Sequence, residues 1–160
     1  MTAPDAAVLE LLREQSGLSI DLDGRFLHRG EPITHARTLE VLWGSLERNA
    51  QGRYQVRVGR EVGYVAVADA PYGVRGVTLP DGATDAQLHL TDGSVERLDP
   101  ATLTVDADGI LHCRVRRGAH RARFSRAAQV TLGLALSEDP LAPGNYRLHL
   151  GERSFPVRPE

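Results

Sequence analysis

Apolar positions recur at helical spacing in three stretches and alternate with polar ones through most of the remaining chain. Residues 4–15 place Ala7, Val8, Leu11 and Leu12 on one helix face, with Pro4 suited to a first turn and Gly17 to a stop. Leu39, Leu42, Trp43 and Leu46 stand at i, i+3, i+4 and i+7 behind Thr34, which predicts a capped helix over 34–48. A third helix is predicted from Ser125, its cap, to Ser137, with the apolar Ala127, Val130 and Leu134 at helical spacing. Strands are expected on both sides of Asp23-Gly24, a pair that tolerates the positive φ of a tight turn, with His28 inward beside Phe26. Tyr54, Val56 and Val58 alternate strictly and pass through Gly59-Arg60 into a second run, 62–67, which reads as a hairpin. Further strands fall at 74–79, 87–91 and 95–98, the last two joined through Asp92-Gly93.

The second half repeats the first. Leu18-Ser-Ile20-Asp21-Leu-Asp23-Gly24 matches Leu103-Thr-Val105-Asp106-Ala-Asp108-Gly109, each position displaced by 85, and Gly52-Arg-Tyr54-Gln-Val56-Arg-Val58-Gly59 matches Gly144-Asn-Tyr146-Arg-Leu148-His-Leu150-Gly151, each displaced by 92. Two blocks in the same order around a helix predict a structural duplication. The expected architecture is α+β: two similar units, each an antiparallel sheet packed with one helix, plus a short N-terminal helix, divided as 1–78 and 79–160.

Composition narrows the chemistry. At 160 residues, 41% hydrophobic and 25% charged with a net charge of −2, the chain lies near the average of globular domains, and disorder, collagen and coiled coil are excluded. Cys113 is the only cysteine, so no intrachain disulfide forms, and its alternation with Leu111 and Val115 predicts a buried, unreactive thiol. The start of the chain has no basic residue ahead of an apolar run, and no stretch is long enough for a membrane span, so a cytoplasmic protein is expected. All 19 basic residues are arginine, which removes Schiff-base, P-loop and Ser–Lys chemistry.

Catalytic and metal motifs are missing from the local sequence. Asp21/Asp23 and Asp106/Asp108 precede glycine at the fourth position, not the sixth that an EF-hand loop needs, and read as turns. The six histidines include no i, i+4 pair, so a metal site would need distant strands, and no catalytic residue, metal or cofactor is expected. No nucleophile-elbow or nucleotide-cradling motif occurs.

Charge is segregated instead. Residues 81–109 hold seven acids against Arg97 alone, and residues 110–129 hold six arginines and no acid. A hairpin turning near Arg117-Gly118 puts Leu111, Cys113, Val115, His120, Ala122 and Phe124 on one face and His112, Arg114, Arg116, Arg121 and Arg123 on the other. Guanidinium forks bind oxyanions, so these five residues are the candidate ligand site; the competing arrangement pairs them with the acidic segment as a solvated ladder. A negative chain with eight aromatic residues does not fit a nucleic-acid binder.

The run Leu18-Ser-Ile20-Asp21-x-Asp23-Gly24-Arg25-Phe26-x-His28-x-Gly30-x-Pro32-Ile33, with Gly52-Arg-Tyr54, Val67-x-Asp69-x-Pro71-Tyr72, Leu111-x-Cys113-Arg-Val115 and Ala122-Arg123-Phe124-Ser125-Arg126, resembles the bacterial domain-of-unknown-function family twelve-eighty-five over residues 8–158. The resemblance implies two similarly built α+β halves and a part in signal transduction; it carries no catalytic residues. The family commonly uses lysines where this chain has only arginine. The leading expectation is a non-enzymatic binding or signalling module for a small anionic ligand or a protein. The alternatives are an enzyme assembled from scattered His, Asp and Arg residues, and a self-associating structural protein that pairs through strand edges as a homodimer.

Overall fold

The two Asp-x-Asp-Gly sequences fold into one kind of turn. In the computed structural model, which describes residues 6–160, Asp21 Oδ1 accepts from the backbone N–H groups of Asp23 and Arg25 at 3.0 and 2.9 Å, while the Gly24 N–H, at φ 76°, donates to the Asp21 carbonyl. Asp106 Oδ1 accepts from Asp108 and Ile110, both at 2.9 Å, and Gly109, at φ 79°, closes the same loop. A side-chain acceptor thus replaces strand pairing at the corner, and glycine supplies the left-handed residue. Each turn launches an antiparallel pair. Strand β1 (Leu18–Ile20) pairs with β2 (Phe26–His28), and β10 (Thr104–Val105) pairs with β11 (Leu111–Val115).

The chain divides into two units, Met1–Pro71 and Tyr72–Glu160. The first holds α1 (Ala6–Glu14), β1, β2, β3 (Glu31–Pro32), α2 (Ala36–Ser45), β4 (Glu47–Arg48), β5 (Tyr54–Val58) and β6 (Glu61–Val67). Its six strands run in the order β3-β2-β1-β6-β5-β4, with β6 returning parallel to β1. The predicted stripe of α2 packs as expected: Leu42 is buried, and Leu39, Trp43 and Leu46 lie against Ile20, Phe26, Val56 and Val65. Trp43 meets Phe26 edge to face at 4.6 Å.

The second unit begins with β7 (Tyr72–Thr78), which therefore lies beyond the division and not with the first half; β8 (Gln87–Leu90), β9 (Val95–Arg97), β10 and β11 follow. Then come β12 (His120–Phe124), α3 (Arg126–Gly133), β13 (Leu136–Glu138), β14 (Tyr146–Leu150) and β15 (Arg153–Pro159). Their sheet order is β13-β14-β15-β10-β11-β12-β7-β8-β9. From β12 to β13 this reproduces the strand order of the first unit, with β15 parallel to β10 as β6 is to β1, and β7-β8-β9 extend the free side of β12. The fold is α+β, and both sheets are mixed rather than antiparallel, because the last strand of each unit docks beside the first in the same direction.

Several faces differ from the sequence expectation. The α2 cap is His35, not Thr34: its Nδ1 accepts from the Thr38 N–H at 3.3 Å. In α3 the buried residues are Ala128 and Leu132, while Val130 is 68% and Leu134 84% exposed. Both stripes have helical spacing, and the sheet selects the one that Ser125, capping through Ala128, rotates toward it. On α1, Val8, Leu11 and Leu12 are about half exposed, and only Leu9 and Arg13 are partly covered. Pro4 lies outside the described residues. His28 is exposed, since β2 buries Phe26 and ends at the sheet surface.

Cys113 is 2% exposed on the apolar face of β11, and burial pushes its thiol up to about 12, with Glu96 and Asp99 adding to the effect. Native protein should resist thiol reagents at neutral pH and react on unfolding. Above the ordinary thiol pKa the unfolded chain holds fewer protons than the folded one, so stability falls as pH rises from about 9 toward 12, by up to about 1.4 kcal/mol per pH unit from this group. Urea titrations across that range should show the slope reduced by this amount in Cys113→Ala; an unchanged slope contradicts the buried thiol.

Candidate functional site

The β11–β12 hairpin has the expected register: Cys113 stands opposite Ala122, Arg114 opposite Arg121, and His112 opposite Arg123. Leu111, Cys113, Val115, Ala122 and Phe124 are buried on one side, so the alternating residues His112, Arg114, Arg121 and Arg123 share the other. Arg116 leaves this face. It adopts φ 54° at the start of the turn, and its guanidinium pairs with the buried carboxylate of Asp92 and stands 5.6 Å from the Tyr72 ring centre, while its N–H donates to Glu96 at 3.1 Å.

His112 also departs from the expected solvated ribbon. It is 1% exposed, since Glu160 folds over it: the Glu160 N–H donates to the Val105 carbonyl at 2.9 Å, extending the parallel β10–β15 pairing. Glu160 Oε1 then stands 3.6 Å from His112 Nδ1 and accepts from Thr104 Oγ1 at 2.8 Å, and Arg121 Nη2 donates to Oε2 at 2.7 Å. A carboxylate oxygen of Asp106, from the turn between β10 and β11, completes a cluster in which the three ligand atoms lie within 4.8 Å of one another. Sequence reading missed Glu160 as a neighbour of His112, because that contact depends on a parallel pairing between strands far apart in the chain, and it took Asp106, across the local β10–β11 hairpin, only as a turn residue.

The acidic segment therefore accounts for only part of the basic face. Asp92 and Glu96 take Arg116, and Asp85 lies 3.9 Å from Arg97, but the acid on Arg121 is Glu160. Arg114 is exposed, and no carboxylate comes within ion-pair distance of it among the described residues.

Elsewhere the polar groups are matched internally. A surface cleft of about 630 Å³ in the first unit is lined by Glu10, Arg13, Arg53, Arg57 and Tyr64 among others. Arg53 pairs with Glu14 and lies 3.6 Å over the Tyr64 ring, and the Tyr64 hydroxyl donates to Glu10 at 2.7 Å. Those bonds hold Glu14 below its ordinary carboxylate value and raise Arg53, and the Glu10 contact raises Tyr64. This polar knot ties α1 to the β5–β6 hairpin. His149 Nε2 meets Ser137 Oγ at 2.6 Å and His89 Nε2 meets Thr78 Oγ1 at 2.7 Å, but among the described residues no carboxylate orients either ring as a catalytic triad requires.

No family model matches the chain, and no curated protein matches it by sequence. Among solved structures, a DUF1285 family protein from Silicibacter pomeroyi DSS-3 is similar at a TM-score of 0.68 and 18% identity, covering 99% of this chain and 90% of its own. A DUF1285 family protein from Shewanella baltica OS155 is similar at 0.58 and 16% identity, covering 74% of this chain and 91% of its own. The fold is thus one found in bacterial DUF1285 family proteins, as the sequence resemblance implied.

Asp106 has two roles that substitution separates. Removing its side chain in Asp106→Ala strips two backbone N–H groups of their acceptor and should cost about 1–2 kcal/mol in urea unfolding. Asp106→Asn should stay within about 0.5 kcal/mol of the native protein, since an amide oxygen can accept the same bonds, as Asn49 Oδ1 does for Gln51 and Arg53. Equal losses in both variants would contradict the turn role.

Proposed function

We infer that the chain is a non-enzymatic, cytoplasmic binding or signalling module, and that the face of β11 and β12 carrying Arg114, Arg121 and Arg123 receives an oxyanion, either a small ligand or an acidic group on a protein. The observation that carries this reading is the Arg114–Arg121 cross-strand pair: two like charges directly opposite each other repel, and only Arg121 is answered, by Glu160. An oxyanion at Arg114 relieves that repulsion and accepts two parallel N–H bonds. His112 lies beneath the face as a fixed floor, and Arg116 is held at its margin by Asp92. Signalling draws its support from the resemblance alone.

A second reading, self-association, is favoured by the exposed apolar stripe Val8, Leu11 and Leu12 on α1. Strand edges support it less, because the edge strands β3, β4, β9 and β13 are only two or three residues long. Leu11→Glu together with Leu12→Glu should leave a monomer in sedimentation if a dimer forms through this stripe.

Titration with inorganic phosphate, followed by amide shifts, tests the first reading. Each exposed guanidinium–oxyanion contact contributes roughly 0.5–2 kcal/mol, so Arg114→Ala with Arg123→Ala should weaken binding about tenfold or more and flatten its salt dependence, with little loss of stability. Absence of phosphate binding to the native protein, coupled with unfolding of the double variant, would make the arginines structural and remove the reading.

A further inference from the structure

The geometry points to a binding site for a divalent transition-metal cation formed by Asp106, His112 and Glu160. It is separate from the oxyanion reading and stands without it. Three strands deliver the ligands: Asp106 follows β10, His112 lies in β11, and Glu160 follows β15, and these strands are neighbours in the order β15-β10-β11. The ligand atoms converge within 4.8 Å, and the nitrogen ligand is an imidazole 1% exposed. His112 Nδ1 and Glu160 Oε1 stand 3.6 Å apart, too far for a good hydrogen bond and close to the separation of about 3.4 Å that two ligands about 2.1 Å from a tetrahedral ion adopt. One imidazole with two carboxylates suits zinc or a neighbouring transition ion better than calcium or magnesium, which take oxygen ligands.

The ligands are also held from behind. Asp106 is fixed by the two N–H groups of its turn, and Glu160 by Thr104 Oγ1, which donates to Oε1 at 2.8 Å, and by Arg121 Nη2, which donates to Oε1 at 2.9 Å and to Oε2 at 2.7 Å. Such outer contacts set ligand orientation before an ion arrives. Closing the triangle around an ion takes a small shift of these three side chains.

The first unit shows what the same framework looks like without the site. By strand register Asp106, Ile110, His112 and Glu160 correspond to Asp21, Arg25, Leu27 and Ala68, since Ser19 pairs with Leu27 as Thr104 does with His112, and the Ala68 N–H donates to Ile20 as that of Glu160 does to Val105. There the second carboxylate oxygen of Asp21 is closed by Arg25, at 2.9 Å from both Nε and Nη2. In the second unit Ile110 replaces that arginine, and a histidine and a glutamate replace Leu27 and Ala68, so the arginine that balances the turn carboxylate in one unit has no counterpart at position 110 of the other.

The test is a zinc titration of the metal-free full chain, by calorimetry and by competition with a chromophoric chelator, repeated with Co²⁺ to read ligand type from its visible absorption. One ion should bind per chain, and Asp106→Asn and Glu160→Gln should each weaken it about tenfold or more. Both variants keep hydrogen-bonding oxygens, so they separate metal loss from unfolding, which replacement of the buried His112 does not; circular dichroism checks the fold. Absence of saturable zinc binding, or affinity unchanged in both variants because surface histidines hold the ion, overturns the site.

Discussion

Each unit is closed by a parallel contact on a very short strand. Strands β1 and β10 are three and two residues long, yet each is held between the hairpin partner that follows it and the strand that ends its unit. Without β6 on β1 or β15 on β10, the helix of the unit would cover a broken sheet, and the groups gathered at β10 would have no common location. The Asp-led turns prepare this arrangement by fixing the direction in which β2 and β11 leave. The parallel strands complete it at a cost in loop closure that grows only slowly with loop length.

How much of this could be read in advance follows from which interactions are local. The turns at Asp23-Gly24 and Asp108-Gly109, the Gly59-Arg60 hairpin and the α2 stripe were all legible, because a side chain and the backbone a few residues away determine them. Alternation also separated the two faces of the paired strands β11 and β12, though not Arg116, which the turn carries off the basic face. It could not say whether a face is covered. His28 and His112 both sit on alternating strands, yet His28, on the face of Phe26, is exposed, and His112, on the face opposite Cys113, is buried under Glu160. The same limit misplaced the inward side of α3, where Val130 and Leu132 both fit a helical stripe and only the sheet chooses between them.

The functional picture rests on contrast between two similar frames. In the first unit Arg25 is paired with Asp21 and Arg53 with Glu14. In the second, repulsion survives where Arg114 meets Arg121, and a buried histidine faces two carboxylates. Like charges directly opposite each other are destabilising, so the oxyanion partner proposed for this face would relieve the repulsion. Fold likeness to solved bacterial proteins says nothing about that partner.

The parallel closure holds Glu160 on His112. Hydrogen exchange at the Arg158 and Glu160 amides measures it most directly, since these N–H groups donate to the carbonyls of Leu103 and Val105 at 3.3 and 2.9 Å. Protection approaching that of the β11 amides is the predicted result. Exchange of the Glu160 amide at the rate of an unstructured peptide would mean that the closure does not hold and that His112 is uncovered.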